Sequence, residues 1–368
     1  MKRREFVKLG AGAAALGLGA SQFAKPAIAQ KKIEWKMQMT WAKNSPVLAT
    51  GAETVASYIT KASGGRLTVK LYAAGEIAPP LQVMDTVADG GLEMGHGYPP
   101  YWVGKLNAMN FLSPVPFGLT TQEQDAWYKF GGGEELAGKV YAQLGVKMFR
   151  SGNTSVQGFG WFNKELTSID SFKGLKMRLG GLGARVLSAV GATPVAMPLG
   201  EVPQALQSGA IDGADFVGPV NDMAFGLHKL AKYYYWPGWV EPCGILDCFV
   251  NLKAYEALPD DLKEIVKGAN EYANALVVNE FVAKNAIALK TMVEDHKVQI
   301  KLLDDDTLIA LGRASNDVVN DVASKDALSR ELFDSIIKFR ETVIPYTNIS
   351  ELAFMKARML NFPYGKKV

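Results

Sequence analysis

The sequence predicts an α/β protein of two lobes, each built on a mixed, mostly parallel sheet, with one long helix spanning both. Three observations carry that expectation. The chain has 368 residues, more than a single hydrophobic core usually organises. Short apolar runs alternate with amphipathic segments in a β-α-β-α-β order at two separate places. The stretch from Asp260 to His296 contains no proline and is rich in helix formers.

Taken in order, residues 1–29 read as an export signal. Lys2, Arg3 and Arg4 make a basic start, Leu9–Ala20 is a Gly/Ala-rich apolar core, and Ala27-Ile28-Ala29 is a small-x-small cleavage site. Arg3-Arg4-Glu5-Phe6-Val7-Lys8 resembles the twin-arginine motif, whose pathway exports folded proteins. The apolar core is too short and glycine-rich for a membrane anchor. No later segment is long and apolar enough to span, so the mature chain is expected in the periplasm. These residues hold five cations and one anion, so their removal takes the net charge from +3 to about −1. With no basic cluster elsewhere, a nucleic-acid partner is not expected.

The first lobe is expected over 31–152, completed by about 243–258. It reads as strand Ile33–Met39, helix Ala49–Ser63, strand Leu67–Ala73, helix Leu81–Asp89 and strand Leu92–Gly95. The second lobe, 153–242 completed by about 298–340, repeats the phrase. Strands Leu175–Leu179, Pro194–Met197 and Ile211–Val217 alternate with helices Gly183–Val190 and Gly200–Ser208. A shift of 119 positions lays Val83, Val87, Gly90, Leu92 and Glu93 on Val202, Leu206, Gly209, Ile211 and Asp212. By that register His96 stands where Asp215 stands, at the mouth of a strand. Residues 259–297 form the spine, with Leu262, Ile265, Val266, Ala269, Tyr272, Ala273 and Leu276 at helical spacing. Cys243 and Cys248 lie five apart in GILDCFV, which reads as a strand. Opposite faces argue against a bridge, although an oxidising compartment permits one.

Ligands of such sheets gather where strands end and helices begin, and two facing lobes form a cleft. Four segments there carry chemistry. Asn153 and Gln157 offer amides among glycines. Arg178 ends a buried strand and needs an anionic partner, either a ligand carboxylate or an inter-lobe acid. Asp215, with Phe216 beside it, is costly if buried alone. Glu241 is the only acid of the aromatic run Tyr233–Pro242. Together with Gln157 these carboxylates make an oxygen set for a hard cation, or else they pair with lysines and cap helices. From the first lobe, Tyr98 and Tyr101 offer hydroxyls, and His96 is a further candidate contact. His228 and His296 read as surface residues.

At these residues the chain resembles a known family, the periplasmic solute-binding proteins of tripartite ATP-independent periplasmic (TRAP) transporters. GATPVAMPLGEVPQALQSGAIDGAD looks like that family's most recognisable stretch, and the likeness runs over nearly the whole mature chain. GNTSVQ, MRLGG, FVGP and YYYWPGWVE resemble the branch that binds 2-oxo acids or lactate with a metal ion. The resemblance implies a two-lobed periplasmic binding-protein-like fold and a receptor rather than an enzyme, working with membrane transporter subunits. It implies that Gln157, Asp215, Glu241 and the carbonyl of Phe216 hold Na⁺ or Ca²⁺. Arg178, Asn153 and Tyr101 would then hold the acid. The branch often has Glu-Trp at Asp215-Phe216, which here alters the ion site and leaves more room for the acid's side chain. The branch also forms dimers through exchanged C-terminal helices. Residues 345–368 are the candidate arm, with an amphipathic helix Ser350–Leu360 after a break at Pro345. No G-x-S-x-G, H-E-x-x-H or dinucleotide fingerprint supports a hydrolase or lyase. A sugar acid, dicarboxylate, aromatic acid or pyroglutamate is the alternative cargo, and a second basic residue in the cleft would favour a dicarboxylate.

Overall fold

A computed structural model describes residues 32–112 and 114–364. The predicted export signal, 1–29, lies outside the described residues.

Two sheets organise the chain. The first contains β1 (Ile33–Met39), β2 (Leu67–Tyr72), β3 (Met94–Gly97), β4 (Val146–Asn153) and β10 (Ile245–Asn251), in the order β2-β1-β3-β10-β4. β1 runs parallel to both β2 and β3, while β10 is antiparallel to β3 and β4. β10 takes this inner place because Ile245–Val250 is buried on both faces. Cys243 and Cys248 are both buried and unbridged.

The second sheet contains β5 (Gly160–Phe162), β6 (Lys176–Arg178), β7 (Thr193–Val195), β8 (Gly213–Ala214), β9 (Tyr233–Trp236) and β11 (Gln299–Leu302), in the order β11-β9-β5-β8-β6-β7. β6 is parallel to β7 and β8, and only β5 runs against its neighbours. β8 is far shorter than the apolar run Ile211–Val217 suggests. The last bond from this segment to β6 is Asp215 N donating to the carbonyl of Arg178 at 3.1 Å, one residue beyond β8.

The internal parallel is present in three dimensions. Helix Val83–Ala88 recurs as helix Val202–Gln207 at the predicted shift. Each ends in a glycine with a left-handed backbone, Gly90 at φ 80° and Gly209 at φ 71°, a conformation a side chain would strain. His96 and Asp215 are accordingly both buried near strand ends.

The spine is a single helix, Asp260–Glu294, of 35 residues, about 50 Å long at ~1.5 Å per residue. Leu262, Val266, Ala269, Ala273, Val277 and Phe281 form its buried face. That face packs on helix Leu48–Ala62 and β4 of the first lobe and on helix Pro219–Ala224 of the second.

Two expectations about the C-terminal part are corrected. Residues 298–340 do not all complete the second lobe. β11 and the start of helix Asp305–Ala323 do, with Leu303 and Leu311 in the second-lobe core. Val319, Val322, Leu332, Phe333 and Ile336 instead join the first-lobe core around Trp127 and Tyr141. The apolar stripe continues, but its partner changes along the way. Nor does Pro345 break the chain: it lies inside helix Ala327–Thr347, which runs into a π turn, Asn348–Leu352, and then helix Ala353–Arg358. Proline removes one backbone donor, and neighbouring turns adjust without ending the helix.

Candidate functional site

Between the lobes lies a cavity of about 250 Å³. Tyr98 and Tyr101 enter it on the turn after β3, and Gln157, Arg178, Asp215, Phe216 and Glu241 enter from the second lobe. Seven of the nine residues singled out from sequence thus meet at one place. Asn153 does not line it. Its Oδ1 accepts from the amides of Ser155 and Gly244, each at 3.1 Å, so it shapes the loop that carries Gln157. His96 lies apart as well, buried against Ser151 Oγ at 3.1 Å and edge-on to Trp41. Burial lowers its ring to about 3, which keeps it neutral.

Arg178 is placed by the end of β6 and held by backbone as much as by charge. Its Nη1 donates to the Asp215 carbonyl at 3.0 Å and to Asp215 Oδ2 at 3.2 Å, and Nε donates to the Met197 carbonyl at 3.3 Å. The Arg178 and Asp215 side chains therefore touch directly. Consecutive placement on neighbouring strands β6 and β8 brings them within reach.

One guanidinium serves two buried carboxylates. Burial pushes Asp215 well above the ordinary carboxylate range; the charge of Glu241 adds to this, and Arg178 opposes it. Burial pushes Glu241 up to about 7, against a hydrogen bond from Tyr98 and the charge of Arg178. The Tyr101 hydroxyl is likewise raised by burial, with Arg178 opposing. Such carboxylates are short of positive charge.

The oxygen inventory says what kind would suit. Gln157 commits its Nε2 to Thr154 Oγ1 at 2.9 Å, while Gln157 Oε1 and Asp215 Oδ1 are buried with no hydrogen-bond partner. Orphaned buried acceptors are costly. With Glu241 in the same cavity, they fit a hard, oxygen-preferring cation. Among the described residues no three or more His, Cys, Asp or Glu cluster as a metal site, so an ion here would lean on the Gln157 amide oxygen and backbone as well as on the two acids. Gly238 keeps this set in register: a Cβ there would lie 2.1 Å from the Gln157 carbonyl, and Gln157 N donates to the Glu241 carbonyl at 3.2 Å.

Sequence reasoning missed the apolar walls, Trp41, Leu48, Met197, Leu199 and Val217. An apolar residue facing a cleft has the same pattern as one facing a core. Only the place of Trp41, just beyond β1, gave a signal.

Comparison with known proteins bears on the same geometry. The family model for bacterial extracellular solute-binding proteins, family 7, matches residues 37–326. A monocarboxylate 2-oxoacid-binding periplasmic protein of Nostoc sp. is 39% identical over 322 residues, covering 88% of each chain. A TRAP periplasmic solute-binding protein from Colwellia psychrerythraea, solved with bound calcium and pyruvate, superposes with TM-score 0.87 at 36% identity, over 89% of this chain and 100% of that one. A second, from Pseudoalteromonas atlantica with bound sodium and pyruvate, gives 0.86 at 35% identity, over 89% and 99%.

Proposed function

Because the chain belongs to family 7 of the bacterial extracellular solute-binding proteins, the periplasmic receptors of TRAP transporters, we propose that it captures a small 2-oxo or 2-hydroxy monocarboxylate together with an oxygen-bound cation. It then delivers the acid to the membrane subunits without chemical change. The observation that carries this reading is the charge inventory of the cleft. Arg178 is the only Lys or Arg among the residues lining the cavity, so one carboxylate can be clamped and a second would find no partner. Asp215, Glu241 and Arg178, all ionised, sum to one negative charge. A divalent cation and a monocarboxylate bring the total to zero, whereas sodium leaves it negative. Gln157, Asp215, Phe216 and Glu241 would hold the ion, and Arg178 and Tyr101 the acid, with Asn153 acting through its loop. The bound ion supplies a positive charge that the acid's oxygens can share; the protein's part is to orient the acid and exclude water.

Melting temperatures with pyruvate, 2-oxobutyrate and lactate, each with calcium, sodium or chelator, test this directly. A ligand at a hundred times its Kd stabilises by about 2.7 kcal/mol, so a clear rise is expected, largest with calcium and lost on chelation in sodium-free buffer. No rise with any of the three acids would reject the cargo. An undiminished rise after full removal of both ions would reject the ion site.

Residues 1–29 supply the export route in this reading, through the twin-arginine pathway. The C-terminal arm supplies a homodimer contact: Ile349, Phe354 and Met359 are 78%, 64% and 82% exposed, apolar area that water disfavours. Light scattering should then report a dimer that becomes a monomer when residues 345–368 are deleted. A monomeric full-length chain would discount the contact.

A further inference from the structure

Asp222, on helix Pro219–Ala224, is a buried acid that does not line the cavity. Among the described residues it is answered by hydrogen bonds rather than by a Lys or Arg. Its Oδ1 accepts from Gly218 N at 2.8 Å and from Val217 N at 3.3 Å, and its Oδ2 accepts from Trp161 Nε1 of β5 at 2.8 Å. Burial pushes Asp222 up to about 6, with the Trp161 and Gly218 bonds opposing, so at pH 7 it is a carboxylate that only accepts.

The bond to Gly218, the residue before the helix, serves the helix start. The bond to Val217 reaches one residue further back, and the amide it holds shares a peptide with the Phe216 carbonyl. A trans peptide is planar and points its N–H and C=O to opposite sides, and this one is trans. Holding Val217 N on Asp222 therefore turns the Phe216 carbonyl away from Asp222. Phe216 and Val217 both line the cavity, and among the described residues nothing donates to that carbonyl. We infer that Asp222 is a positioning residue for the cation: from outside the cleft it aims the Phe216 carbonyl at the ion.

The inference rests on the ion site proposed above and adds the residue that orients one of its ligands. The anchor is itself held on two sides. Trp161 stacks on Tyr234 at 4.1 Å and 9°, and Val220 N donates to Asn285 Oδ1 of the spine at 3.0 Å. A ligand carbonyl on a loop is only as well aimed as the bonds behind it, and losing such outer support costs about ten- to hundredfold in metal affinity.

Calorimetric titration with calcium, then with pyruvate at calcium saturating each variant, reads the effect. Asp222→Ala should weaken calcium about ten- to hundredfold. Asp222→Asn keeps an acceptor for both amides but turns its NH2 on Trp161 Nε1, so it should lose less, about three- to tenfold. Adding Trp161→Phe removes that clash and should return calcium to within about threefold of Trp161→Phe alone. Pyruvate at saturating calcium should stay within about threefold throughout, because Arg178 and Tyr101 are untouched. Equal losses in both Asp222 variants, with no recovery in the double variant, would mean that only the charge acts and would overturn the anchor. Calcium affinity within about twofold of the unmodified protein in either variant would overturn it too. So would pyruvate affinity that falls together with calcium, the mark of a loosened lobe. If Asp222→Ala does not fold, the near-isosteric asparagine variant and its double decide alone, by the same loss and recovery. If the unmodified protein binds neither calcium nor sodium, the ion reading falls and takes the anchor with it.

Discussion

Replacing Arg178 by alanine is expected to abolish monocarboxylate binding and to leave calcium binding intact or stronger. Arg178 is 8% exposed, is held by two backbone carbonyls and an acid, and is the cavity's only Lys or Arg. Losing a buried, hydrogen-bonded charge partner costs about 2–5 kcal/mol of affinity, or roughly thirtyfold to several thousandfold. For the cation the sign is opposite. Arg178 opposes the charge deficit of Asp215 and Glu241, so its removal leaves two carboxylates with no competing positive charge. The fold should survive. Breaking a buried ion pair typically costs about 3–5 kcal/mol, but Asp215, already pushed well up by burial, can take a proton instead of standing charged and alone. Arg178→Lys should fall between, because an ammonium keeps the charge and loses the fork. Separate titrations with calcium and with pyruvate in calcium decide the matter. Pyruvate affinity within threefold of the unmodified protein would remove Arg178 from the acid's site.

The residues of this site differ in how far the sequence announced them. Arg178, Asp215 and Glu241 stood out because charge in an apolar run must be answered by something, and strand ends say where. The repeated helices were readable to the residue, since a glycine stop and a short strand follow each one at the same spacing. Strand ends put Arg178 and Asp215 on one sheet edge, but their direct contact depends on how β6 and β8 stagger, and two residues of β8 do not announce a register. Most of the apolar wall was silent for a different reason: Leu48 and Leu199 are patterned as core. The C-terminal helix misled in a third way. Its stripe showed a buried face but not which lobe covers it, and Phe333 and Ile336 turn out to face Phe111 and the first-lobe core.

Asp247 is a buried acid that neither the ligand nor the cation uses, and Asp247→Asn is expected to stabilise the protein above neutral pH. Asp247 lies on β10 with no solvent exposure. Its Oδ2 accepts from Trp102 Nε1 at 3.2 Å and from the Tyr141 hydroxyl, while Oδ1 has no partner. Burial pushes it up to about 7 from an ordinary 3.8, with those two donors opposing. Between these values the folded protein holds a proton that the unfolded chain has released. Stability therefore falls as pH rises from about 4 to 7 and stays lower beyond. Asparagine keeps an acceptor for Trp102 and Tyr141 and never ionises. The full linkage is about 4 kcal/mol, and an amide placed where Oδ1 has no partner returns one or two of these, leaving about 2–3 kcal/mol at pH 8. At pH 4 the aspartate is neutral when folded and only half ionised when unfolded, so the variant should gain nothing there. Trp102 touches Tyr101 edge-on at 6.1 Å, and Tyr101 lines the cavity, so unchanged pyruvate affinity in the variant would show that the turn after β3 keeps its place. Urea titrations at pH 4 and pH 8 give the comparison. An equal effect at both pH values would mean that Asp247 is ionised throughout the folded range, and that its two donors outweigh its burial.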